Sequence, residues 1–390
     1  MKRRLLPILF AVLLTACAAP RDTLPAATPA PTPAPTAAPT PEPTAADALT
    51  LEEKVGQLFI IRPDALDLTL DQETINDAKA DGVTELTDAM REALQTYPVG
   101  GICQFGKNIT DPAQLTQFNA DLQAASKTPL FITVDEEGGA VARLANHQAF
   151  DLPQYESAAA VGASGDPADA FAMGQTIGAY LKQYGFNMDF APVADVNTNP
   201  DNPIIGTRAF SSDAETAAQM AAAAADGLRA SGILPTLKHF PGHGDTAEDS
   251  HTALAVTYKT REELESCELL PFAADVGLHA VMVGHIAAPN VTGNSTPASL
   301  SPQLIAMIPD AENTLIITDS LAMDAIAAAY TPGEAAVQAV RAGCDVLLMP
   351  NSLSEAYAAV LTAVQNGTIS EERLDESVNK ILRFKSEIEQ

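Results

Sequence analysis

Short apolar runs recur along the chain from residue 57 onward, separated by stretches of helical periodicity. The runs are 57–61, 100–105, 130–135, 187–196, 234–240, 280–286, 314–319 and 344–350. Each is apolar with little interruption, where a half-exposed strand would alternate with polar residues. Strands of that kind are buried on both faces, as in a parallel sheet. Helical patterns fall between them at 112–126, 166–184, 211–230, 260–277 and 332–342. Eight βα units predict an α/β fold: a (β/α)8 TIM-type barrel, or an irregular variant of one, forming a single catalytic domain over 47–390. The stretch 370–388 places Leu374, Val378, Ile381 and Leu382 on one side, which predicts a last covering helix. The first crossover, 62–99, departs from this rhythm. Its acidic, helix-prone part at 68–95 has few apolar residues and predicts a surface elaboration of the barrel.

The N-terminus follows other rules. Lys2, Arg3 and Arg4 precede a short apolar core over 5–14, the layout of an export signal over 1–17. Leu14-Thr15-Ala16-Cys17 resembles a bacterial lipobox, which predicts Cys17 as a lipidated residue and a lipid-anchored, extracytoplasmic protein. Residues 18–46 are almost wholly Ala, Pro and Thr and predict an extended, disordered tether. At about 3.1 Å per residue in polyproline II, such a tether reaches on the order of 90 Å.

Charge narrows the partners. The chain carries 22 basic and 50 acidic residues, a formal charge of −28. So acidic a surface argues against nucleic acid and against charge-driven binding to anionic lipid. Besides Cys17 there are Cys103, Cys267 and Cys344, an odd number with no disulfide framework or zinc-type spacing. No metal or cofactor is expected, and the protein is expected to act as a monomer.

Polar residues gather at the ends of the predicted strands. Asp135 ends the third, Asp195 and Asn197 the fourth, and Lys238 and His239 the fifth. His285 ends the sixth, Asp319 the seventh, and Asn351 follows the eighth. In a barrel these ends face one pocket. A charge at a buried strand end is costly unless paired or used. Six of eight strands ending so predicts a site.

The densest stretch runs from Lys238 to His251, Lys-His-Phe-Pro-Gly-His-Gly-Asp-Thr-Ala-Glu-Asp-Ser-His. Its Pro241, Gly242 and Gly244 exclude a helix and predict a shaped loop with a hinge. Asp249 and His251 are two apart, on one side of an extended segment. An aspartate so placed orients an imidazole and stabilises its charged form, tuning it for proton transfer near neutral pH. Asp319 is placed as a carboxylate nucleophile. The set fits retaining glycosidic cleavage, which needs a carboxylate to attack the anomeric carbon and a second group to exchange protons. His243 reads as a hydrogen-bonder of the loop and His285 as a lining of the pocket floor.

These residues resemble the bacterial β-N-acetylhexosaminidases of glycoside hydrolase family 3, over essentially all of 50–388. The resemblance opens with Thr50-Leu51-Glu52-Glu53-Lys54-Val55-Gly56-Gln57-Leu58 and continues through Asp135-Glu136-Glu137-Gly138-Gly139. Phe190-Ala191-Pro192-Val193-Ala194-Asp195-Val196 and Asn202-Pro203-Ile204-Ile205-Gly206-Thr207-Arg208-Ala209-Phe210 follow in order. Then come the 238–251 loop, the most specific match, Thr318-Asp319-Ser320-Leu321-Ala322-Met323, and Ala342-Gly343-Cys344-Asp345. The resemblance implies a His251–Asp249 acid/base pair on a mobile loop and Asp319 as nucleophile. It further implies Asp135, Arg143, Arg208, Lys238 and His239 as sugar-holding groups, with Gly138 and Gly139 allowing backbone close to the ligand. Two positions depart: Glu136 stands where the family often has Gln, and Ala140 where it often has Arg.

The implied substrate is an N-acetylhexosamine-bearing oligosaccharide or muropeptide, cut at its terminal non-reducing residue. Competing readings are a family 3 β-glucosidase, a sugar-binding lipoprotein without turnover, and a metal hydrolase using His239, His243, Asp249 and His251.

Overall fold

The computed structural model describes residues 44–247, 254–274 and 277–388. Cys17, Asp249 and His251 lie outside the described residues. Eight parallel strands form one sheet: β1 Phe59–Ile61, β2 Gly101–Cys103, β3 Phe131–Val134, β4 Met188–Asp189, β5 Leu234–Phe240, β6 Ala280–Val283, β7 Leu315–Thr318 and β8 Leu347–Leu348. Each strand pairs with its sequence neighbour, and β8 returns to β1 with Phe59 opposite Leu347. A parallel bridge between Ile317 and Val346 joins β7 to β8, so the ring closes. This is the expected (β/α)8 barrel.

The strands bury alternate residues in two cores, which is why their sequences are apolar throughout. Ile60, Phe131, Met282, Leu315 and Ile317 point into the barrel. Their neighbours Phe59, Ile61, Ile132, Val281 and Ile316 pack against the helical layer. Several strands are shorter than the apolar runs that announced them. The run at 187–196 yields a regular strand only over Met188–Asp189, because Pro192 lacks a donor and breaks the ladder, which resumes as a single bridge from Val193 to Lys238.

The helices that cover the barrel include α1 Leu51–Gln57, α2 Gln72–Asn76, α3 Asp88–Thr96, α4 Pro112–Ala125, α5 Pro167–Gln183, α6 Ala214–Ala230, α7 Pro332–Ala342, α8 Leu353–Gln365 and α9 Glu371–Ile388. Asp111 caps α4 by accepting from the amides of Ala113 and Gln114. The helix expected over 260–277 covers only Arg261–Ser266, ending before a turn that leads to Pro271. Helix α9 closes the bottom of the barrel. Its Ile381 and Phe384 join the interior core, and its buried Lys385 donates to Gln57 at 2.7 Å.

The 62–99 crossover is rooted more deeply than its composition suggests. Leu66, Ile75, Leu86, Met90, Ala93 and Leu94 are buried. Asp64 is fully buried, accepts from the Val83 amide and Asn108, and pairs with Lys107 at 3.4 Å. A short turn-rich stretch splits the expected long helix into α2 and α3.

Candidate active site

The strand ends surround a cavity of about 230 Å³ lined by Asp135, Glu137, Arg143, Arg208, Lys238, His239, His243 and Asp319, among others. Larger grooves of about 780 and 630 Å³ lie along the covering helices. They contain no strand-end residue of the catalytic face, so the chemistry selects the smaller cavity.

Strand β5 delivers two successive side chains to this cavity. In the pairing with β6, Lys238 faces Met282 and Phe240 faces Val283. His239 is thus an extra residue on its strand, and such an irregularity re-aims side chains that would otherwise alternate. Lys238 Nζ donates to Asp135 at 2.8 Å and lies 2.6 Å from Glu137. Arg208, on the short turn Gly206–Arg208, grips Glu137 with two bonds of 2.8 Å. Burial alone raises the Glu137 carboxyl, but the adjacent Lys238 and Arg208 charges prevail and hold it at about 2. Arg143 stands 3.7 Å from the second oxygen of Asp135. All five expected sugar-holding residues therefore meet in one cavity with Asp319.

A second network fixes the start of the 238–251 loop. Asp195, fully buried, lies 2.7 Å from His239 Nδ1 and accepts from the backbone amides of His239 and His243. His243 bonds through Nδ1 to Thr246 at 2.7 Å, and burial lowers its pKa. The hinge expected at Gly242 and Gly244 is instead a tight joint. A Cβ at Gly244 would sit 1.9 Å from the Val196 carbonyl oxygen, and both glycines are buried. Beyond residues 248–253, Thr257 donates to Asp245 at 2.8 Å, and Lys259 pairs with Glu268. The segments flanking 248–253 are thereby held together.

Three expectations change. His285 does not line the cavity; it is fully buried behind it, donating from Nε2 to the Ser320 carbonyl and bonding Ser299 through Nδ1. It supports the segment just after Asp319. Gly138 and Gly139 both have positive φ, 79° and 73°, and turn a hairpin between Glu136–Gly138 and Val141–Ala142. Their faces meet Met173 and Ser157, so they serve the packing of that hairpin rather than ligand approach. Glu136 faces inward, accepting from the amides of Leu144 and Ala145 and from the Tyr180 hydroxyl. Its departure from the family residue therefore concerns the support of the turn at 144–145, and Glu136 does not line the cavity.

Sequence reasoning passed over Glu137, Arg62 and Phe105, which also line the cavity. The spacing Asp135-x-Glu137 was a usable signal, since residues two apart in extended chain face the same way and both reach Lys238. Arg62 and Phe105 carried no motif.

A closed (β/α)8 barrel with carboxylates, cations and imidazole gathered at its strand ends has the layout of an enzyme's active site. Residues 50–384 match the model of the glycosyl hydrolase family 3 N terminal domain. The chain belongs to that family. It is 36% identical over 291 residues to a β-hexosaminidase of Stenotrophomonas maltophilia, spanning 71% of this chain and 84% of the relative. It is 32% identical over 338 residues to β-hexosaminidase A of Pseudoalteromonas piscicida, spanning 79% of this chain but 56% of the relative. A family 3 β-N-acetylglucosaminidase structure from Paenibacillus superposes with a TM-score of 0.77 at 38% identity, covering 87% of this chain and 63% of that one.

Proposed function

We propose that the protein is a retaining β-N-acetylhexosaminidase that removes terminal non-reducing N-acetylglucosamine. One observation carries this reading: Asp319, at the end of β7, lines the same cavity as Asp135, Arg143, Arg208, Lys238 and His239. The cavity has room on the scale of one sugar ring, as an enzyme acting on chain ends requires. The Asp319 carboxylate attacks the anomeric carbon, the leaving oxygen takes a proton from His251, and a glycosyl ester forms on Asp319. His251, now neutral, takes a proton from water, whose oxygen displaces the carboxylate and restores the enzyme. Asp249 orients the imidazole and stabilises its charged form. Asp135, paired on one side with Lys238, accepts sugar hydroxyls, while Lys238 and the arginines donate.

The export signal and the Leu14–Cys17 pattern support a lipid-anchored, extracytoplasmic enzyme held out by the 18–46 tether. Cell-wall muropeptides and other N-acetylhexosamine-bearing glycans are the substrates such a location offers.

The test compares turnover of chromogenic N-acetylglucosaminide and glucoside; a clear preference for the glucoside defeats the proposal. Asp319→Asn is expected to lose at least about 10³-fold in kcat with the fold intact. His251→Ala should lose most activity on poor leaving groups and much less on good ones, which need little acid assistance. Equal losses on both would remove His251 as the acid.

A further inference from the structure

Arg62 directly follows β1 and lines the cavity, yet none of the implied sugar-holding roles falls on it. Its guanidinium stacks on Phe105 at 4.7 Å, and Arg143 stacks on the same ring at 5.5 Å. Nη1 donates to the Ile75 carbonyl at 3.3 Å and to Asn76 Oδ1 at 2.8 Å, at the end of α2. Asn76 in turn donates to Asn351, which follows β8. The side chain is thus aimed by three elements. No carboxylate stands within 4.0 Å of it among the described residues. Nε is buried without a partner, and Nη2 has no hydrogen-bond partner among the described residues. An arginine fixed so firmly at a cavity wall, with donors to spare, is built to meet an acceptor that arrives with the substrate.

The ring order says which part of the substrate that is. In a closed ring of eight strands, β1 stands opposite β5, whose loop runs toward Asp249 and His251. On the proposed reading, the leaving group departs on the β5 side and the anomeric carbon sits at Asp319. The opposite edge of the sugar, bearing the C4 and C6 hydroxyls, then faces β1 to β3. We propose that Arg62 is a specificity-determining residue that donates to a hydroxyl on the C4–C6 edge of the terminal sugar. The 62–99 crossover is then part of the binding site, since it supplies the groups that aim Arg62. This inference rests on the assignment of Asp319 and of the acid/base loop.

The test uses the full chain, Arg62→Met and Arg62→Lys with a fluorogenic N-acetylglucosaminide and its analogues lacking the C4 or the C6 hydroxyl. The wild type is expected to lose about tenfold to a hundredfold in kcat/KM on one deoxy analogue, the range of a hydrogen bond to a charged donor. Arg62→Met should lose a similar factor on the parent substrate and no longer distinguish it from that analogue. Arg62→Lys, which keeps the charge, should retain part of the discrimination and covers the case of a poorly folding Met variant. Equal loss on all three substrates, no loss on any, or no discrimination by the wild type overturns the inference. Failure of the underlying reading shows separately, as undiminished turnover of the parent substrate by Asp319→Asn.

Discussion

The two ends of the barrel each hold a buried carboxylate among cations, Glu137 at the top and Asp345 at the bottom, and they use it differently. At the bottom, Asp345 accepts from Ser377 Oγ at 2.6 Å, from Lys380 Nζ at 2.7 Å and from the Ile316 amide at 3.1 Å. Arg373 stands 3.8 Å away. Three of these four groups come from α9, so the cluster ties the last helix to the barrel. At the top, Asp135, Lys238, Glu137 and Arg208 form a chain of ion pairs open to a cavity. The bottom carboxylate has its partners within the protein although Asp345, Arg373 and Lys380 border a groove of the helical layer, whereas the top cluster presents donors and acceptors to the cavity at the catalytic face. A buried ion cluster therefore does not mark a site by itself; an accessible, unfinished face does.

Changing the central cation at the top should separate the two most. Lys238→Met leaves Asp135 and Glu137 without their shared partner. We expect a loss of about 10²- to 10³-fold in kcat/KM, since a positioned charge at the sugar disappears. A stability loss of about 3 kcal/mol should accompany it, because the buried Glu137 and the part-buried Asp135 lose a counter-charge. Steady-state kinetics and denaturant unfolding on the same preparation check both. A variant that unfolds more readily but keeps its activity would make the top cluster another structural tie.

The matching change at the bottom is Asp345→Asn. It should also cost about 3 kcal/mol by breaking a buried charged network. Activity per folded molecule should stay within about twofold, since the cluster lies at the far end of the barrel from Asp319. A tenfold fall in kcat with an unchanged fold would show that the ends are coupled and would blunt the comparison.

Glu137 sharpens it through pH. Its folded carboxyl sits at about 2, below the ordinary 4.5, held there by Lys238 and Arg208 against the opposing effect of burial. The folded protein binds that proton less tightly than the unfolded chain. Its stabilisation is therefore complete above about 4.5 and is lost as pH falls toward 2. Glu137→Gln lacks this term. The wild type should be the more stable at neutral pH, and the gap should close on acidification. Unfolding midpoints at several pH values measure it, and a gap that widens in acid contradicts the assignment.

How much of this was legible beforehand depended on where the information lay. Eight apolar runs named the barrel because its strands bury both faces, and the strand-end residues Asp135, Lys238, His239 and Asp319 fell where the fold needed them. Asp195, His243 and His285 were visible as polar residues in apolar surroundings, but nothing in the sequence said that His243 would bond Thr246 or that His285 would reach Ser299 and the Ser320 carbonyl. The tight packing of Gly244 against Val196 was hidden for the same reason: glycine serves a hinge and a close contact equally well. Arg62 was hidden more deeply. Its meaning depends on α2, whose short, polar sequence gave no sign that its end would hold an arginine of the cavity wall.

The smallest effect concerns Asp189, on β4 just behind the top cluster. Burial raises its carboxyl well above 3.8, against the opposing hydrogen bond from the Glu136 amide. One oxygen is satisfied by the Glu136 amide at 3.0 Å; the other has no partner among the described residues. Here the sign is opposite to that of Glu137. The folded state binds the proton more tightly, so its stabilisation is complete below about 3.8 and is lost as pH rises. Asp189→Asn keeps the accepting oxygen and removes the titration. The variant should melt at a higher temperature than the wild type at neutral pH, with the advantage shrinking at pH near 4. Activity should not change, because Asp189 does not line the cavity. A lower melting temperature at neutral pH would mean that the buried carboxylate is held in its charged form by something the top cluster supplies, and the division between working and supporting charges would have to move down a layer.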